Sequence, residues 1–196
     1  MKEDFGCVGN TIKTRSGNYV DLLNPKEEQI NFTDISGALS KICRFCGQSN
    51  RMYSVAEHLC HCVFQALMDG HPQEVCIAVF GHDFAESYLG DVTKPLKLLL
   101  PEYKKIEDNM EDVIGRRFGI DFHKHKDVIK EIDRAMLIAE RKSLMSHDQI
   151  EWKGEKQTRD INPDIKCWNP EEAEVIFTSY ARFLGVVDGE LQPVER

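Results

Sequence analysis

No run of roughly 18 apolar residues occurs anywhere in the 196-residue chain, so a membrane-crossing helix is not expected. No apolar run follows Met1-Lys2-Glu3-Asp4 either, so no export leader is expected, and a soluble, cytoplasmic protein without a membrane partner is. Basic charge is short: 25 Lys and Arg stand against 33 Asp and Glu, a net charge of −8. A general nucleic-acid surface needs a basic stripe that displaces counterions from phosphates, so a nucleic acid polymer is not expected as a partner. An anionic ligand must instead meet local positive charge, from a metal or from a few placed Lys and Arg. Internal repeats and low-complexity tracts are absent. So is a regular cysteine framework, because seven cysteines at irregular spacing fit reduced thiols better than disulfides. Cys43 and Cys46 do form a C-x-x-C. Cys60-His61-Cys62 is a poor second half for a structural zinc site, since neighbours on a helix point away from each other.

What is present fits one folded domain over residues 1–196, with 41% hydrophobic and 30% charged residues. Thr11 to Leu23 contains two short β-prone runs around Arg15-Ser16-Gly17-Asn18, a small hairpin. Thr33 is the expected cap of a helix through Ile35, Leu39, Ile42 and Cys43. Ser54 with Glu57 reads as a capping box, which places His58 in the second turn of a helix closed by Gly70. Pro72 opens another helix that runs through His82 and Asp83 to Gly90. Pro101 begins a helix that Gly115 is expected to loosen, and Val128 to Leu144 is a long amphipathic one. Residues 146–169 lose all periodicity and form a long loop holding Trp152 and Trp168, of the kind used as a lid or a subunit contact or left disordered. Residues 170–185 form a C-terminal helix, after which the tail is expected to fray. About six or seven helices and one hairpin make an all-α helical bundle.

The chemistry concentrates in Gly81-His82-Asp83-Phe84-Ala85-Glu86-Ser87-Tyr88-Leu89-Gly90-Asp91. An imidazole and two carboxylates within one helical turn are metal-site donors that need more ligands. His58 in Ser54-Val55-Ala56-Glu57-His58 and Asp133 in Glu131-Ile132-Asp133 lie on flanking amphipathic stretches, and His61, a turn after His58, is expected to face the same cavity. Two imidazoles and two carboxylates suit a borderline divalent ion such as Zn, Co or Mn, with positions left for water and a phosphate oxygen. Taken singly, each of these residues is as readily an ordinary helix histidine or surface acid.

The ordered set His58, His82-Asp83, Asp133 and the words SVAEH, GHDFAE, YLGDVTKPLK and EID resemble the HD-domain metal-dependent phosphohydrolases. The similarity is closest to phage dATP triphosphohydrolases and bacterial 5'-deoxynucleotidases, and it spans residues 11–145, which would then be the catalytic core. It implies an HD-domain fold with His58, His82, Asp83 and Asp133 as metal ligands. It also implies that Glu86 and Asp91 act around the attacking water and the leaving ester oxygen. Arg44 and Lys130 match family positions that meet phosphate, Lys97 in the same GDxxxPxK word is a further candidate, and Phe45 falls where relatives carry an aromatic beside sugar and base. The implied ligand is a small-molecule deoxynucleotide and the implied reaction converts dATP to deoxyadenosine and triphosphate, with Mg accompanying the triphosphate. A 5'-deoxynucleotidase acting on monophosphates, a non-catalytic nucleotide- or metal-binding HD module, and a structural zinc protein are the alternatives. By resemblance the chain is also expected to form a homo-oligomer.

Overall fold

Strand-forming sequence is confined to the chain ends, and helices make up most of what lies between. The computed structural model describes residues 8–186 and the backbone of 187, 190 and 191. Met1 to Asp4, from which the lack of an export leader was expected, lie outside the described residues. Strand β1 (Thr11–Lys13) pairs antiparallel with β2 (Tyr19–Asp21), with Ile12 opposite Val20. The turn between them includes Gly17 at φ 91, a conformation that side chains disfavour. Val20 faces the core and is fully buried.

Helix α1 (Phe32–Leu39) starts one residue after Asn31, not at Thr33. The Asn31 side chain reaches the free Asp34 N–H at 2.8 Å, and asparagine is the stronger cap, so Thr33 is drawn inside the first turn. The Asp34 carboxylate, 4% exposed, accepts from the Ser16 backbone N–H and hydroxyl at 2.7 Å each and from Asn31 at 2.9 Å. Burial pushes its pKa up, but these donors outweigh burial and hold it below the ordinary value. Removing the carboxylate leaves buried donors unmatched. Asp34→Ala is therefore expected to cost about 1–3 kcal/mol in urea unfolding at neutral pH. Because the folded pKa is depressed, that stabilisation exists above the unfolded pKa and fades as pH falls through the folded one, so variant and wild type should converge in acid.

Helix α2 (Val55–Met68) packs against α3 (Gln73–Gly81), α7 (Lys126–Leu144) and α8 (Pro170–Leu184). Ser54 caps it through the Glu57 N–H at 3.1 Å, but the reciprocal half of the expected box is absent. The fully buried Glu57 carboxylate turns instead to three successive backbone N–H groups, those of Lys166, Cys167 and Trp168, at 2.9, 2.8 and 2.7 Å. Charge-assisted bonds to three donors outcompete one local cap.

The helix expected from Pro72 to Gly90 breaks after Gly81. Bonds from Phe84 N–H to Gly81 and from Glu86 N–H to Asp83 close three-residue turns, tightening the chain before the single-turn α4 (Glu86–Leu89). Phe84 is the reason this segment holds: its ring is fully buried edge-on to Phe80, Phe118 and Phe177, 5.5 to 6.0 Å between centroids. Its neighbour Asp83 is thereby held on the opposite side. A second single turn, α5 (Lys94–Lys97), leads to α6 (Pro101–Phe118), which is continuous through Gly115. The glycine serves close approach there, because a Cβ would stand 2.8 Å from the Ile120 carbonyl oxygen.

Residues 146–169 form an ordered strap. The Arg141 guanidinium bonds Glu155 at 2.6 Å and Asp148 at 2.8 Å and lies 4.7 Å from the Trp152 ring centre. Arg51 donates to the Lys166 carbonyl at 3.0 Å at the far end. After α8, where a frayed tail was expected, Val186–Val187 (β3) pairs with Glu190–Leu191 (β4). Residues 192–196 lie outside the described residues. Among the described residues no helix is long and apolar enough to cross a membrane.

Candidate metal centre

Three elements remote in sequence deliver the donors: α2 carries His58, the C-terminal end of α3 carries His82, and α7 carries Asp133. One ligand atom of each lies within 4.8 Å of the other two. His58 Nε2 is 3.4 Å and His82 Nε2 3.8 Å from Asp133 Oδ1. Asp83, turned in by the tight bend after Gly81, places Oδ2 3.6 Å from His58 Nε2 and 3.4 Å from His82 Nε2. Ligands about 2.1 Å from one tetrahedral ion stand about 3.4 Å apart, so the spacing suits a cation.

Ring orientation agrees. His82 Nδ1 donates to the Val79 carbonyl at 2.7 Å, and His58 Nδ1 to the Glu140 carboxylate at 2.6 Å. Both acceptors lack a proton, which turns each Nε2 toward the centre. His82 Nε2 is buried with no hydrogen-bond partner. An orphaned buried nitrogen is costly unless something binds it. Burial pushes Asp133 up, but the neighbouring His58 and His82 imidazoles outweigh that and keep it well below the ordinary value, an ionised donor. Burial and the Arg44 charge push His58 down, yet Cys62, Glu140 and Asp133 hold it well above the ordinary imidazole value. His58, His82 and Asp133 can hold a divalent ion.

Around this group sit further polar residues singled out in the sequence. Glu86 is 5% exposed; its Oε1 is 3.6 Å from Lys97 Nζ and its Oε2 has no partner. Burial, then the charges of Asp83 and Asp91, push its pKa well up. Asp91 is raised too, by burial and Asp83 against the opposing Arg44 charge. Lys97 also bonds Glu107 at 2.5 Å. Arg44 is buried, with Nε 3.1 Å from Glu140 Oε2 and Nη1 3.4 Å from Asp83 Oδ2. It lies in a turn where Phe45 and Cys46 adopt φ 57 and 51, a left-handed conformation that costs about 1–3 kcal/mol per non-glycine residue. That turn leaves Phe45 half-buried beside the guanidinium, 5.7 Å from ring centre to Cζ. Lys130 is not among them: it is exposed and lines a cavity of about 380 Å³ with Asp127, Glu131, Arg134 and Arg159, none of them a donor of the centre.

His61 does not join the centre as expected. It stacks between Tyr53 and Trp168, with its Nε2 3.5 Å from Glu57. Three residues along a helix leave its side chain about 60° off the direction of His58, and the Tyr53 and Trp168 rings hold it on that side. Among the described residues six cysteines are free and none belongs to the group of converging donors, so the structural zinc alternative finds no site.

No family model matches the chain. Over 143 residues it is 38% identical to the protein named "Uncharacterized protein YfdR" of Escherichia coli strain K12, covering 72% of this chain and 76% of that one. The chain belongs to the YfdR family. It is also 33% identical over 110 residues to the protein named "Uncharacterized protein RCAP_rcc00048" of Rhodobacter capsulatus, covering 54% of this chain and 56% of that one. Neither name states a reaction, so membership of the YfdR family leaves the chemistry to be argued from side chains.

In this YfdR-family chain the centre includes residues that sequence reasoning passed over. Glu140 is fully buried and accepts from His58, Arg44 and Tyr53. A signal existed: it follows Met136 by four residues, on the buried stripe of α7, where a carboxylate is out of place. Cys62 Sγ lies 3.5 Å from His58 Nε2 and fills the space beside that ring.

Proposed function

We propose that the chain is an HD-type metal-dependent deoxynucleotide phosphohydrolase, and that its substrate is dATP, cut between the 5'-oxygen and the first phosphorus. What supports this is the convergence of His58, His82 and Asp133 beside a buried arginine and a carboxylate with a free oxygen. These residues and Asp83 would hold a zinc, cobalt or manganese ion, which would neutralise charge at the phosphoryl group and lower the pKa of a water, toward about 7 in the case of zinc. Glu86 takes the proton of the attacking water on its unpartnered Oε2, a role its raised pKa suits. As the water oxygen bonds to phosphorus and the bond to the 5'-oxygen breaks, Asp91 gives that oxygen its proton. Asp91 can carry that proton because its own pKa is raised. Arg44 has guanidinium N–H groups beyond the two held by Glu140 and Asp83, and these meet phosphate oxygens. Lys97 and Lys130 add positive charge for the oxygens of the phosphate tail, which Mg would accompany, and Phe45 offers its face to sugar and base.

The test is product analysis: each dNTP and dNMP is incubated with the protein plus Co²⁺, Mn²⁺ or Zn²⁺, and products are separated by chromatography. Deoxyadenosine with triphosphate is the expected result. Turnover confined to monophosphates would make the chain a 5'-deoxynucleotidase. Absence of release with every metal would leave a binding module.

A further inference from the structure

We propose that Glu140 is a positioning residue that fixes the His58 ring so that only Nε2 faces the cation. The proposal rests on the metal centre described above and adds a residue that the sequence motif does not include. Glu140 lies on α7 two helical turns after Asp133, so one helix presents both a direct donor to the centre and the carboxylate behind it. Its side chain is fully buried. A carboxylate without solvent must be satisfied by the protein, and three donors reach it: His58 Nδ1 at 2.6 Å and the Tyr53 hydroxyl at 2.9 Å on Oε1, and Arg44 Nε at 3.1 Å on Oε2.

An ionised carboxylate accepts and cannot donate, so the bond at Nδ1 requires the proton there and leaves Nε2, on the side of Asp83 and Asp133, as the nitrogen a cation can bind. The opposite tautomer would set a lone pair against the carboxylate and lose the bond. The other two donors serve to hold the carboxylate itself: with Arg44 on one oxygen and Tyr53 on the other, it cannot rotate away from His58. Packing does not account for this arrangement. The same face of α7 is already filled by Ile132, Ala135, Met136 and Ala139, and an apolar side chain would complete it without burying an ion. Glu57 shows the contrast, since that equally buried acid spends its oxygens on backbone N–H groups of the strap and leaves the centre alone.

The experiment uses the full chain and zinc alone as the probe. Zinc affinity is measured by competition with a chromogenic chelator for wild type and Glu140→Gln, and ¹⁵N spectra of the zinc-loaded proteins report which ring nitrogen of His58 is bound. A Gln side chain keeps the volume but turns an amide donor toward either His58 or Arg44. The expected result is a loss of zinc affinity of about 10- to 100-fold in Glu140→Gln, with wild-type His58 bound through Nε2 and protonated at Nδ1. Equal affinity in the two proteins, or wild-type His58 bound through Nδ1, overturns the role of Glu140 while the metal centre stands. Wild type that takes up no zinc, or takes it up equally well after His82→Ala, overturns the centre itself. If Glu140→Gln does not fold, Glu140→Asp gives the same readout, because it keeps the charge but draws it back by one methylene from His58.

Discussion

His82→Ala is expected to abolish metal-dependent phosphohydrolysis, lowering kcat/KM by at least about 10³-fold while the fold survives. Loss of one ligand of a catalytic ion removes several kcal/mol of charge stabilisation at the phosphoryl group, and about 4 kcal/mol corresponds to a thousandfold in rate. Of the converging donors, His82 is the best one to remove. His58 is fully buried and bonded to Glu140, and its loss would open a cavity and take one of three donors from a buried carboxylate, so inactivity could mean unfolding. His82 has one hydrogen bond, to Val79, and its Nε2 has none, so truncation leaves little unsatisfied beyond that carbonyl. Circular dichroism and the urea midpoint should stay near wild type, and bound zinc, measured after dialysis, should fall with activity. Residual activity within about tenfold of wild type would place the reaction elsewhere.

Much of this centre is legible in the sequence because its information is local. His82 and Asp83 are adjacent, Glu86 follows within a turn, and the stripes around His58 and Asp133 announce helices whose apolar faces must meet. That those faces bring His58, His82 and Asp133 together, with Asp83 beside the two imidazoles, does not follow from periodicity, which cannot say which helices pack. The resemblance supplied the grouping, and the structure supplies the distances. Where the reading failed, the deciding partner was far away in sequence. Glu57 looks like the third residue of a capping box, and nothing near it shows that three N–H groups more than a hundred residues later will compete for its carboxylate. Glu140 falls on the apolar stripe of α7, but what makes a carboxylate acceptable there becomes visible only once Arg44 and His58 are known to arrive from other elements. The break at Gly81 is hidden for a different reason. A helix and a tightened turn share nearly the same backbone angles, and only the demand of Phe84 for a place among Phe80, Phe118 and Phe177 selects the turn.

The Arg44 to Gly47 turn shows how the same chain accepts local cost for a site. Two successive non-glycine residues sit at positive φ, an arrangement no propensity scale would choose. The turn is clamped on one side by the Arg44 N–H bonded to Tyr53 and on the other by Gln48 N–H bonded to Phe45, each at 2.9 Å. What the strain achieves is separation: Arg44 points inward to Glu140 and Asp83, while Phe45 remains at the rim. A relaxed helical turn would swing adjacent side chains by about 100°, and would not leave the aromatic face beside the guanidinium.

Glu86→Gln is expected to cut kcat by about 10²- to 10⁴-fold, the usual contribution of a positioned general base, and at the same time to raise stability at neutral pH. Both halves come from one fact, that Glu86 is buried among negative charge. Burial, Asp83 and Asp91 push its pKa well above the ordinary value, and Lys97 at 3.6 Å does not reverse them. A carboxyl whose pKa is higher in the folded state than in the unfolded one binds its proton more tightly when folded. Ionising it therefore opposes folding, and the penalty is present above the unfolded pKa and disappears as pH falls below it. An amide of the same shape never ionises, so the urea midpoint of Glu86→Gln should exceed that of wild type at neutral pH, and the two should converge in acid. The amide also cannot accept a proton from water, which accounts for the loss in kcat. Zinc affinity separates this from a ligand role, because Glu86 is not among the converging donors. Unchanged zinc affinity with lower kcat and higher stability is the signature of a base held in an unfavourable place for the sake of its reaction. Loss of zinc together with activity would instead make Glu86 a ligand, and full activity in a more stable protein would remove it from the chemistry altogether.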